Sequence, residues 1–407
     1  MAVRRSPYWV DRFPKSRRPS YPRFRGDVTT DVVIIGGGLT GAACASAFTT
    51  AGVRVVLLEA DAIGSGATGA AIGLVREDLD ASFHETAAQH GLRAARTLWL
   101  GMRRASLDLA AALKRLGINS DVARADLLQV CGRDADAVKA LRREYQSRRD
   151  AGLEHSFLTG AAVTREAALE GGAAIRTRGF TLDPYRTCLG FAAAAAARGA
   201  LVHEKSPALR IRFGRKQVDV TTASGAVHAN TVIVATSSPI PDLRALRRHL
   251  RAEHTYNVVT EPLVAAMRRE MGKRAASIRD RESPPHLLRW LREDRILFSG
   301  ADQSAVPARL RDKTLPQRTG QLMYELSLLY PVISGIEPAW AWDALRYDTA
   351  DGLPFIGSHR NFPRHLFVMG EGRHGAAVSW LAARVLLRAY QEEPAKGDEV
   401  FGFGRIL

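Results

Sequence analysis

The 407 residues are 46% hydrophobic and 25% charged, an ordinary globular balance in a chain long enough for two domains with cores of their own. No uninterrupted apolar run reaches the roughly 18–20 residues of a membrane span, and three scattered cysteines (Cys44, Cys131, Cys188) argue against a disulfide framework or metal site and for the reducing cytoplasm. The net charge of +16 is arginine-dominated and spread along amphipathic segments without a nucleic-acid motif, so it reads as a solvated basic surface, not a nucleic-acid site.

In chain order, residues 1–26 are basic, proline-rich and aromatic. Arg4-Arg5 lacks a following apolar stretch, which argues against an export signal and for an extended arm across the surface. Next comes "TDVVIIGGGLTGAACASAFTTAGVRVVLLEA". The apolar run Val32–Ile35 is a buried parallel strand, and Gly36, Gly38 and Gly41 satisfy G-x-G-x-x-G. Gly36 makes the tight turn, Gly38 lets backbone approach a pyrophosphate, and Gly41 allows close helix–strand packing. Leu39 and Thr40 open a helix whose N–H groups and dipole suit phosphate. Glu59, at the end of the second strand, is placed to accept from an adenosine ribose. This motif alone does not choose between FAD and NAD. The following "ADAIGSGATGAAIGLV" is uncharged from Ala62 to Val75. Its small residues, with Ala60, Ser65, Thr68, Ala71, Gly73 and Leu74 as contacts, let backbone run along a long flat ligand such as a flavin.

At this point the chain resembles the D-amino-acid oxidase superfamily of flavoproteins, which contains glycine oxidase, sarcosine oxidase and D-amino-acid dehydrogenase. The resemblance covers almost everything after the arm and is specific at the two ends. Residues 81–149 read mainly as amphipathic helix. "FTLDPYRTCLGFAAAAAARGALVHE" reads as loop, helix and strand, and "RIRFGRKQVDVTTASGAVHANTVIVAT" as a meander ending in a buried strand. By the resemblance, Ala208 lies at the adenine and Ala235 and Thr236 near the pyrophosphate. "HTYNVVTEPL" and "HLLRWLREDRILFSGAD" look like antiparallel strands, and "GQLMYELSLLYP" like a helix.

The second specific end is "ALRYDTADGLPFIG" followed by a strand and "GEGRHG". It matches the family's glycine, arginine and Asp-Gly-x-Pro block except for Ala344 at the first glycine. The resemblance implies that Gly372, Arg373, His374, Gly375, Ala376 and Ala377 form a turn and helix start beside the flavin ring. It also implies that Arg346 binds a substrate carboxylate and that Arg373 assists. His374 is a candidate acceptor of the amine's proton, and Tyr256 and Arg289 are weaker candidates for lining the substrate side. Leu345 stands where some members attach FAD through cysteine, so the cofactor is expected to be non-covalent.

The reading is therefore an α/β, overall α+β, chain with a Rossmann-type FAD-binding domain and a discontinuous antiparallel-sheet substrate domain. The FAD-binding domain is expected from 27–80, 150–245 and 340–395, the substrate domain from 81–149 and 246–339, and a tail from 396–407. The expected activity is oxidation of an amine or amino acid, with electrons passed to oxygen, a quinone or another carrier. The alternatives are a dehydrogenase or hydroxylase of another substrate class and a non-catalytic flavoprotein partner.

Overall fold

The apolar run before the glycines is the centre of a sheet. In the computed structural model, which describes residues 3–214, 216–238 and 240–406, the strand Val28–Ile35 lies between Val55–Leu58 and Gly225–Ser237, parallel to both. Leu201–His203 extends the parallel order on one side. On the other, Phe362–Met369 runs parallel to the C-terminal half of the 13-residue strand Gly225–Ser237. The N-terminal half of that strand pairs antiparallel with Val218–Thr222, which carries Arg210–Phe213 at the edge. Phe355–His359 completes the sheet, antiparallel to Phe362–Met369. Central strands covered on both faces need no polar alternation, and Val32–Ile35, Val55–Leu58 and Val232–Val234 are continuous buried runs.

Three helices pack together on this sheet. Leu39–Thr50 is built from small residues and is buried in all but its last one, as a helix enclosed on every side must be. Pro184–Ala196 and Gly375–Tyr390 flank it, with Phe191 and Trp380 stacked at 5.3 Å. Asp183 caps the former by accepting from the Arg186 N–H, with Pro184 in the first turn.

The second sheet runs in the order Pro338–Asp348, Arg251–Thr260, Arg295–Ser304, Leu287–Leu291, Ala276–Arg279, Asp126–Cys131, Ala173–Thr177, Ser156–Thr159. Its pairings are antiparallel except Ala276–Arg279 with Asp126–Cys131. This sheet also draws strands from outside the segments 81–149 and 246–339. Ser156–Thr159 and Ala173–Thr177, inside 150–245, pair into this second sheet, and so does Pro338–Asp348 across the expected boundary at 340. Between the helices Leu92–Arg115 and Ala135–Asp150 of the region read as helical, Asp126–Cys131 is also one of its strands. Sheet membership is decided by distant pairing partners, which local periodicity does not encode.

The N-terminal arm is anchored more deeply than an extended surface segment. Its Arg4 N–H donates to the Ala339 carbonyl at 3.0 Å and its carbonyl accepts from Ala341 at 2.9 Å, adding a bridge to the edge of the second sheet. Tyr8 and Trp9, in the short helix Tyr8–Arg12, are buried, with Tyr8 edge-on to Trp340 at 5.1 Å. The Trp9 indole N–H donates to the Ala71 carbonyl at 2.7 Å. Trp9→Ala should therefore cost about 3–5 kcal/mol, as truncation of buried aromatics does. This is read as a lowered unfolding midpoint, and an unchanged midpoint would mean that the arm is peripheral.

Candidate functional site

A cavity of about 710 Å³ begins at the C-terminal end of Val28–Ile35 and continues to the second sheet. That volume is in the range of about 300–1,000 Å³ usual for cofactor and ligand pockets. Its walls bring together Gly36, Gly38, Leu39, Thr40, Glu59 and Ala60 from the first strand–helix–strand unit. Ser65, Thr68, Ala71, Gly73 and Leu74 come from the uncharged segment, and Ala208, Ala235 and Thr236 from the meander and its strand. Gly372, Arg373, Gly375 and Ala376 come from the late turn, and Arg346 from the second sheet. Gly41, Ala377, His374 and Tyr256, also expected at the site, are not part of this wall.

The glycines separate by role. Gly36 has φ +107°, and a Cβ there would lie 2.6 Å from the Ala235 carbonyl oxygen. A Cβ on Gly41 would lie 1.8 Å from the Gly36 oxygen, so Gly41 serves the contact of helix with turn and not the cavity. At Gly38 a Cβ would meet only the Thr68 hydroxyl, at 3.3 Å, and would enter the cavity. The Leu39 N–H donates to that hydroxyl at 2.8 Å. Glu59 accepts from the Gly37 N–H at 2.6 Å and the Asp61 N–H at 2.8 Å, which holds its carboxylate on the cavity wall. A bare helix N-terminus, a turn without side chains and an acid at the second strand fit the phosphates and ribose of a dinucleotide.

The loop 70–73 is clamped from outside by three donors. Trp342 donates to the Ala70 carbonyl at 2.9 Å, and Trp9 to Ala71. Arg289 donates to the carbonyls of Ile72 and Gly73, each at 2.7 Å, and of Leu182 at 3.0 Å. Arg289 therefore supports the cavity wall instead of facing substrate. Burial, only partly offset by Asp183 and Tyr8, pulls its pKa down to about 9.

Glu371, in the late turn, was not among the expected residues. It lies on the cavity wall and accepts from the Ser237 hydroxyl at 3.0 Å and from Thr40, whose oxygen is also 2.8 Å from Ser379. Burial raises its pKa, and the two hydroxyls only partly offset this.

At the far end a charge cluster forms. Arg346 Nε donates to Asp348 at 2.9 Å, Nη1 lies 2.8 Å from Asp302, and Nη2 pairs with Glu253. Arg373 also pairs with Asp302, which is 4% exposed. The approach of Nη1 to Asp302 lacks hydrogen-bond directionality, so Asp302 is held by the charge of the two guanidiniums. Strand geometry explains the set. Glu253 is directly opposite Arg346 across the pair, and Asp348 is two residues on, on the same face. Burial lowers the Arg373 pKa, with Asp80 pushing the other way.

Two expected catalytic residues lie elsewhere. Thr255 and Asn257 face the cavity, so the alternation of the strand turns Tyr256 to the opposite side, against Leu322 and Leu326. There its hydroxyl accepts from Gln303 at 2.6 Å. His374 is buried behind the turn, where Nε2 accepts from the Asp80 N–H at 3.1 Å and Arg76 Nη2 lies 3.3 Å from Nδ1. Burial alone would raise Asp80, but Arg76, His374 and Arg279 outweigh it and hold its carboxyl well below the usual carboxylate range.

The chain matches the FAD dependent oxidoreductase family over residues 31–389 and belongs to it. It is 25% identical over 369 residues to the probable oxidoreductase OrdL of Haemophilus influenzae, spanning 88% of this chain and 82% of that protein. It is 25% identical over 375 residues to the gamma-glutamylputrescine oxidoreductase of Escherichia coli, spanning 91% of this chain and 86% of that protein. Among solved structures, glycine oxidase from Geobacillus kaustophilus shares the fold with a TM-score of 0.75 at 21% identity, over 92% of this chain and 98% of that one. The protein is an FAD-dependent oxidoreductase, and the family resemblance read from its two ends holds. Among the described residues no helix is long and apolar enough to cross a membrane.

Gly38→Val should leave the unfolding midpoint, measured without flavin for both proteins, close to wild type while the flavin-to-protein absorbance ratio collapses. Gly41→Ala should lower the midpoint itself, and the opposite pattern would reverse the two roles. A second prediction concerns acidity. An acid whose folded pKa is raised stabilises the fold below its ordinary pKa and loses that contribution as pH rises through the folded value. Glu371→Gln, measured without flavin, should therefore match wild type near pH 4 and become relatively more stable toward pH 7. A difference in midpoint that does not change with pH would rule out a raised Glu371.

Proposed function

We propose that the protein oxidises the C–N bond of an amine or amino acid to an imine, which water hydrolyses to a carbonyl compound and an amine or ammonia. The observation that carries this reading is a cavity leading from a dinucleotide cradle to the half-buried cluster of Arg346, Arg373 and Asp302. Fixed charges there orient a small polar substrate with little reorganisation, and orientation supplies much of the rate. The named activities of the E. coli and G. kaustophilus relatives, both acting on C–N compounds, support the same class.

Bound FAD supplies the two-electron acceptor, and oxygen, a quinone or another carrier takes the electrons on. The substrate carbon gives up a hydride and its nitrogen a proton. Gly36, Gly38 and the start of Leu39–Thr50 hold the phosphates, and Glu59 takes the ribose. The N-terminus of Gly375–Tyr390, reaching the wall at Gly375 and Ala376, favours negative charge developing there. His374 orients Asp80 and Arg76 beneath the turn and does not meet the substrate. Leu345 lies on the wall and offers no thiol, so FAD is held without a covalent bond, in a cytoplasmic enzyme.

Anaerobic mixing of the yellow protein with amines and amino acids should bleach the flavin absorbance for at least one of them. Bleaching by hydroxy acids or polyol phosphates, with no response to any amine, would overturn the C–N assignment.

A further inference from the structure

We propose that the substrate is an amine with no carboxylate on the carbon that is oxidised, anchored by the Asn257 carboxamide and not by an Arg346 fork. This rests on the C–N reading above and narrows it.

Two independent observations lead there. The first is that Arg346 is already committed. Each of its three guanidinium nitrogens faces a carboxylate, of Asp348, Asp302 or Glu253. Nη1 makes no hydrogen bond of its own, so an incoming carboxylate would compete with Asp302 for that end of the guanidinium. Arg373 shares Asp302, and Arg251 Nε lies 3.1 Å from Glu253, so three guanidiniums meet three carboxylates and the formal balance is zero. A substrate carboxylate would bring a fourth acid into a half-buried cluster that is already balanced, and like charges repel there. To make room it would have to strip a buried acid of its partner.

The second observation is Asn257. It is 1% exposed, on the cavity wall, and among the described residues neither its Oδ1 nor its Nδ2 has a hydrogen-bond partner. A buried carboxamide with both ends unpaired is costly and needs a cause. Ser299 sits directly opposite it in the neighbouring strand, and Thr255 is two residues away on the same face, their hydroxyls 3.5 Å apart. The set is neutral and polar. The amide oxygen accepts from an amine N–H, and the amide nitrogen donates to an acceptor elsewhere on the substrate. A wall built to hydrogen-bond an uncharged group discriminates strongly against ligands that leave it unpaired.

The test uses the FAD-loaded protein and matched pairs of an α-amino acid and its decarboxylated amine: glycine and methylamine, proline and pyrrolidine, ornithine and putrescine. Stopped-flow bleaching under anaerobic conditions gives the substrate Kd and the limiting reduction rate for each. The amine of at least one pair should reduce the flavin at concentrations where its amino acid does not. Asn257→Leu should raise the Kd for that amine about tenfold or more, with the flavin spectrum unchanged and the unfolding midpoint no lower than wild type. Asn257→Ser gives the same reading should leucine disturb the sheet. Preference for the amino acid throughout, or an unchanged Kd in both variants, would overturn this proposal and leave C–N oxidation standing. Failure of every compound to bleach the flavin would overturn both.

Discussion

Everything at the site depends on one close approach of backbone to backbone. Helix Leu39–Thr50 starts so near the end of Val28–Ile35 that no atom fits between Gly41 and the Gly36 carbonyl, and Gly36 in turn abuts Ala235. That contact sets the angle of the helix, brings the strand Gly225–Ser237 alongside, and leaves an open wall where side chains would otherwise stand. Thr40 and Ser237, fixed by this packing, then meet Glu371 from the late turn, so three remote segments converge on one carboxyl.

The opposite end of the cavity follows a different logic. Its charges, apart from Arg373 of the late turn, come from a sheet whose strands show one face to the cavity and the other to the helix Ala308–Leu329. Buried ion pairs gain little net stability over apolar packing, while loss of one partner leaves an expensive bare charge. Arg346, Asp302, Arg373 and Glu253 are therefore better understood as a rigid scaffold of fixed dipoles than as a source of fold stability.

What could be read from the sequence was what is local. The strand, glycine turn, helix and acid from Val28 to Glu59 lie within one continuous stretch, and their spacing carries their geometry. The late turn was legible only through family resemblance, since "GEGRHG" by itself suits any exposed loop. The partners of Arg346 were not legible, because Glu253 and Asp302 reach it through strand register and not through spacing. Tyr256 shows the same limit. Its strand was recognised, but with both faces covered the alternation of "HTYNVV" does not say which side holds the cavity. Arg289 is only a weak substrate-side candidate in the sequence, and nothing nearby announces the three carbonyls it binds.

The arm's anchorage ties remote stretches of the chain together. Arg4 takes Ala339 and Ala341 as its strand partners. Thr40 likewise meets Glu371, 331 residues later. The arm and the cofactor cradle are thus each closed by segments beyond residue 330, so a local loosening of Pro338–Asp348 or of the late turn reaches both.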